Sequence, residues 1–98
     1  EANLRGAIFN NSRLEGANLQ GADLEDTVAF ASNFEGADLR DANLTQALLM
    51  ESKFSNALID GADFTDAVVS RIQLKELCSI AIGTNSKSQI DTDYSLGC

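Results

Sequence analysis

The chain has no histidine, no tryptophan and no proline, and a single tyrosine in its 98 residues. Without histidine, no Ser-His-Asp or Cys-His set can be assembled, and the commonest general base and metal ligand are both missing. Two cysteines and no histidine fall short of a four-ligand zinc site. No cofactor and no enzymatic activity are therefore expected. Basic residues are scarce as well: seven Lys and Arg stand against fifteen Asp and Glu, for a net charge of −8. Phosphate contacts need Lys and Arg, so nucleic acid is not expected as a partner. The acidity reads more simply as what keeps a repetitive surface soluble. No apolar run approaches the ~18 residues that span a bilayer, so membrane insertion is not expected either. No Gly-rich phosphate loop is present. Instead Gly6, Gly16, Gly21, Gly36 and Gly61 recur as corners of a repeating unit.

What is there is a period. Stepping by five from Leu4 gives Leu4, Phe9, Leu14, Leu19, Leu24, Ala29, Phe34, Leu39, Leu44, Leu49, Phe54, Ile59, Phe64 and Val69, all apolar and without a slip. Two residues before each marker stands a small residue: Ala in most units, Ser12, Ser32, Ser52 or Thr27 in the others. The other three places are mostly polar. A helix repeats every ~3.6 residues and a strand every ~2, so a period of five is neither. It suits one side of a coil, with the large residue aimed at the axis and the small one letting the backbone turn.

A longer period counts the sides. Ser12, Ser32 and Ser52 are twenty residues apart, as are Ile8, Val28, Leu48 and Val68, and Asn3, Asp23, Asn43 and Asp63. Twenty residues are four units, so the coil is square, and residues twenty apart stack at about one strand spacing, ~4.8 Å. Phe34 and Phe54 are then expected to stack as an aromatic pair, and Ala29 to sit between the larger Phe9 and Leu49. Amides separate the carboxylates in the Asn3-Asp23-Asn43-Asp63 column, which limits repulsion. A calcium site built from Asp23, Asp26, Asp63 and Asp66 is set aside, because the pairs are two coils, or ~10 Å, apart.

The repeat ends at about Arg71. Leu74, Leu77, Cys78 and Ala81 follow a helical stripe, Ser70 and Gln73 form a potential capping box, and Gly83 is placed to end the helix. A helix of about residues 71–82 lying over the open end of the coil is expected, then a loop over 84–98. One cysteine lies on the helix stripe and the other at the chain end, which suggests a disulfide. The alternative is two independent thiols in a reducing compartment. A bridge closing such a loop would stabilise by ~3 kcal/mol and would imply an oxidising compartment.

Units such as Ala2-Asn3-Leu4-Arg5-Gly6, Ala17-Asn18-Leu19-Gln20-Gly21 and Ala37-Asp38-Leu39-Arg40-Asp41 resemble the tandem pattern of the pentapeptide-repeat family. The resemblance implies an all-β solenoid, a right-handed quadrilateral β-helix. Fourteen units make about 3.5 coils over residues 1–71, with residues 72–98 as helical cap and tail of the same domain. The tail, from Leu77-Cys78 through Gly83-Thr84-Asn85 and Asp91-Thr92 to Ser95-Leu96-Gly97-Cys98, is similar to that of the thylakoid-lumenal subgroup of cyanobacteria and chloroplasts. That likeness implies a Cys78–Cys98 disulfide and a lumenal location, with the periplasm as alternative. The chain opens at Glu1 in mid-repeat, so a processed or truncated product is expected.

One surface feature points outward. Ile8, Val28, Leu48 and Val68 occupy one column, flanked by Phe30 and Met50. An apolar strip of this kind is a candidate interaction surface, to be covered either by the 84–98 tail, with Tyr94 and Leu96, or by another protein. The leading expectation is a monomeric protein-interaction or assembly scaffold with a protein partner in the thylakoid lumen. The alternative is a DNA-mimicking binder of a type II topoisomerase, as some family members are. The charge fits that reading, but a rod of only ~17 Å and a blocked C-terminal end do not.

Overall fold

The structure, a computed structural model, describes residues 2–98. Through residue 69 the chain winds as a four-sided coil. Each side runs from a small residue through an outward residue to an axial marker, and two further residues turn the corner. The turn closes with a hydrogen bond from the next small residue to the marker carbonyl, as from Ala7 N to Leu4 O at 3.0 Å. The second corner residue has a positive φ, +70° at Gly6 and +59° at Asp41. A closing bond with positive φ only at that place is type II turn geometry. The corners therefore extend beyond the glycines. Asn11, Asp26, Ala31, Gln46, Glu51, Asn56 and Asp66 adopt the same left-handed conformation. Such a φ costs a residue with a Cβ about 1–2 kcal/mol. Bonds along the stack offset it, such as the one from Asp41 N to Asp60 O at 2.9 Å.

Residues twenty apart pair in parallel, for example Arg13 with Asn33 and Asn33 with Lys53. Pairing takes the form of one rung per side. Each side is too short for more, and no continuous strand forms among the described residues. The nine markers from Leu24 to Phe64 are buried, whereas Leu4, Phe9, Leu14, Leu19 and Val69 are half-buried. The expectation of fourteen buried markers thus fails at the two ends, where a coil packs against one neighbour instead of two. Phe34 and Phe54 stack with centroids 5.2 Å apart and planes 3° from parallel. The small-position serines form their own column. Ser12 N donates to Ser32 Oγ at 3.2 Å and Ser32 N to Ser52 Oγ at 3.1 Å. The hydroxyls in turn donate to Phe9 O and Ala29 O, so these buried groups are satisfied. Asn43 Nδ2 donates to Asp23 Oδ1 at 3.3 Å in the alternating column.

Helix α1 spans Arg71–Cys78 and opens on the Ser70–Gln73 capping box. Gln73 serves two ends. Its Oε1 accepts from Ser70 N at 2.6 Å, and its Nε2 donates to Leu49 O at 2.6 Å and Ser52 O at 2.9 Å. In earlier coils the equivalent carbonyl takes a backbone N–H, as Ser32 O does from Lys53 N. A side-chain amide here replaces the N–H of a further coil. Two more replacements follow. Gly61 N donates to Ile82 O at 2.9 Å, and Phe64 N donates to Ser95 Oγ at 2.9 Å.

The helix is shorter than the expected 71–82. At its end Ser79 N is shared between Lys75 O and Glu76 O, and the chain leaves the axis there. Gly83 does not terminate it. With φ +85°, Gly83 lies against Gly61, where an added Cβ would meet the Gly61 nitrogen at 2.9 Å. The expected 84–98 loop contains a short helix α2, Thr92–Leu96, ending at Gly97. A disulfide joins Cys78 to Cys98. No described helix is long and apolar enough to cross a membrane.

Two substitutions probe this packing. Leu39, wholly buried between Leu19 and Ile59 in its column, cannot be truncated without leaving a void. Leu39→Ala should lower the unfolding free energy in urea by about 2–5 kcal/mol. Gly83→Ala meets both a left-handed φ and a backbone wall and should cost about 1–3 kcal/mol in thermal or urea unfolding. Gly97→Ala, whose Cβ meets nothing within 4 Å, is the control and should cost less.

Candidate interaction surface

The side carrying Phe9, Ala29, Leu49 and Val69 at the axis bears the outward stripe. Its small residues, Ala7, Thr27, Ala47 and Ala67, and its turns set Ile8, Val28, Leu48 and Val68 outward on successive rungs, paired in parallel. Two residues on, the second outward column reads Asn10, Phe30, Met50 and Ser70. Asn10 Oδ1 accepts from Phe30 N at 3.0 Å, tying the first two rungs of that column together. Ile8 is 71% exposed, Val68 44% and Phe30 39%. Val28, Leu48 and Met50 are half-buried by their neighbours above and below.

The backbone of this face is already used. Val28 N donates to Ala7 O at 3.0 Å, Leu48 N to Thr27 O at 2.9 Å and Val68 N to Ala47 O at 2.8 Å. The carbonyls of the same residues accept from Phe9, Ala29 and Leu49 N at 2.7–2.9 Å. What the face offers is side chains alone. No charged residue lies between its two corners. The corners themselves carry Asp26, Asp66 and Glu51, all exposed, together with an Arg5–Glu25 pair at one corner and Arg71 at the α1 end of the other.

The tail does not cover the stripe. It docks on the corner column Gly21-Asp41-Gly61 instead. Ser86 N donates to Asp41 Oδ1 at 2.7 Å, and Asn85 Nδ2 donates to Gly61 O at 2.9 Å. Leu96 packs against the core, while Tyr94 is 82% exposed. The fold-back expectation for Tyr94 and Leu96 is thereby corrected. The tail goes where the last coil leaves backbone groups open, whereas Val28, Leu48 and Val68 have theirs paired along the stack. Sequence reasoning also passed over Ile72, exposed in the first turn of α1. It lies off the Leu74-Leu77-Cys78-Ala81 stripe, and nothing in the periodicity marks it.

Elsewhere exposed apolar side chains, such as Leu58 and Ile82, stand singly among polar ones. The Arg40 guanidinium forks onto Asp38 at 2.8–2.9 Å and holds that carboxyl below the usual carboxylate range. Arg5 lies 3.8 Å from Asp23 and 3.6 Å from Glu25 on the adjoining face. A recess lined by Asn18, Gln20, Gly21 and Asp41 has Asp41 engaged by Ser86.

The sequence profile described as pentapeptide repeats matches in eight copies, over residues 1–28 and 31–69. No curated protein sequence matches the chain. Among solved structures it is similar to a pentapeptide repeat protein from the Arabidopsis thaliana thylakoid lumen, at 23% identity and a TM-score of 0.51, with 99% of this chain aligned to 85% of that one. It is also similar to HetL, a pentapeptide repeat protein involved in heterocyst differentiation regulation from the cyanobacterium Nostoc. That match has 25% identity and a TM-score of 0.54 over 69% of this chain, and spans 34% of HetL. A pentapeptide repeat protein from the cyanobacterium Cyanothece aligns at 35% identity over 69% of this chain and 44% of that one, with a TM-score of 0.40. The family profile and the first two structures imply that the coil is a right-handed β-helix.

Proposed function

The chain belongs to the pentapeptide-repeat family, and from that premise we propose that it is a non-catalytic scaffold that holds a protein partner on its apolar face. The observation that carries this reading is the run of Ile8, Val28, Leu48 and Val68, with Phe30 and Met50 alongside, which the tail leaves uncovered. Fully burying an exposed side chain of this kind favours contact by roughly 1.5–3 kcal/mol, and less for the half-buried Val28, Leu48 and Met50. Helix α1 and the tail act as an end cap. Gln73, Ile82 and Ser95 occupy backbone groups that would otherwise recruit another chain, which suits a monomer. The site of action is the thylakoid lumen. The likeness to a lumenal Arabidopsis protein supports this, and the Cys78–Cys98 bond suits an oxidising compartment.

The second reading, a DNA mimic for a type II topoisomerase, draws on the net charge of −8. The molecule measures 30 × 28 × 22 Å, which is not the elongated form of a duplex. Inhibition of gyrase supercoiling at stoichiometric protein would favour that alternative.

A photo-crosslinking residue at Met50, in protein incubated with lumen extract, tests the scaffold. A discrete protein adduct is expected. The double variant Val28→Ser/Leu48→Ser should abolish the adduct while its unfolding free energy stays within about 1 kcal/mol of wild type, because neither side chain points to the axis. An adduct of unchanged yield in the double variant would sink the reading.

A further inference from the structure

Resting on the reading of the apolar face as a contact surface, we infer that its occupant is an amphipathic α-helix whose apolar row is flanked by lysine or arginine. Three observations lead there.

The first is that the rungs at the middle and upper end of the stripe have no backbone to give. Each rung from Val28 to Val68 donates and accepts along the stack. An extended peptide laid on it would find no main-chain partner, and its own N–H and C=O groups facing the stripe would lose water without compensation. A helix satisfies its backbone internally and binds through side chains alone, as grooves for amphipathic helices do.

The second is shape. The inward-pointing markers separate two outward columns, Ile8-Val28-Leu48-Val68 and Asn10-Phe30-Met50-Ser70. These are two residues apart along each side, ~6.6 Å, and so bound a shallow trough. The trough runs along the stack for three spacings, ~14 Å, about the rise of nine helical residues. That length takes one row of side chains at i, i+3 or i+4, and i+7.

The third is charge. The face is neutral between its corners and its rim is net acidic: Asp26, Asp66 and Glu51 stand against Arg71 at the α1 end, while Arg5 is paired with Glu25. Basic residues flanking the apolar row of a helix would meet these carboxylates. The same rim disfavours a second copy of this chain. A two-fold contact through the face would set acid against acid between molecules of net charge −8.

The test uses the full chain, labelled with 15N, and three end-blocked peptides of eighteen residues. One is a helix with leucine at i, i+3, i+4, i+7 and i+11 flanked by lysine. The second replaces the lysines with glutamate. The third is the lysine peptide interrupted by two prolines. Affinity is read by fluorescence anisotropy and location by amide shifts. The lysine helix should shift the amides of Val28, Phe30, Leu48 and Met50. It should bind at least tenfold more tightly than either other peptide and weaken as salt rises. Asp26→Asn/Glu51→Gln/Asp66→Asn should erase the preference for lysine over glutamate while the same amides still shift. Equal affinity of the lysine and glutamate peptides at this face would overturn the charge inference. Equal affinity of the proline peptide would overturn the helical one. In both cases the contact surface itself would stand. If no peptide shifts these amides, or if Val28→Ser/Leu48→Ser binds as wild type does, the inference and the contact-surface reading fall together.

Discussion

Every other feature of this molecule depends on the direction of its backbone hydrogen bonds. They run along the stack, from one coil to the next, between residues about twenty apart. This leaves each side a single rung long and forces a turn every five residues. At eight corners the turn is made without glycine, counting Asn11 and Asp66 as the first and last. The left-handed φ that this requires would not persist in isolation. At Asn11, Asp26, Ala31, Asp41 and Gln46 the N–H of the strained residue itself is tied to the coil above. The packing of Phe34 on Phe54 and of Ser12 beneath Ser32 follows from the same spacing.

A stack held this way has open groups only at its ends. At the C-terminal end, the groups a further coil would supply come from other sources: a side-chain amide from Gln73, a carbonyl from Ile82 and a hydroxyl from Ser95. Three chemically different groups do the work of one repeated backbone. Gly83 then has to approach Gly61 closely enough to exclude a Cβ, and the tail is drawn to the corner of Gly21, Asp41 and Gly61.

The direction of the hydrogen bonds also shapes the flat sides. A side whose rungs are bonded to one another along the stack offers little of its backbone, so its selectivity lies in the columns of outward side chains. Three sides carry charged or amide columns, such as Arg13-Asn33-Lys53. The fourth carries the aliphatic stripe with an acidic rim. The tail, which seeks open backbone groups, passes that side by, and the apolar surface stays available to a partner that brings its own satisfied backbone.

The sequence by itself determined the axial markers, the four sides, the stacking of Phe34 on Phe54, the Ser70–Gln73 box and the composition of the stripe. These depend on short-range spacing, which a strict period writes out in the chain. Only the tertiary structure decided that α1 stops at Cys78, that residues 92–96 form a second helix, and that Tyr94 points into solvent. It also decided that the stripe is left bare. The tail has no period, and its course is set by where the last coil leaves donors and acceptors unpaired. Those positions are fixed by residues such as Gly61 and Phe64, some twenty to thirty places away along the chain, and no local pattern around Ser95 or Asn85 records them.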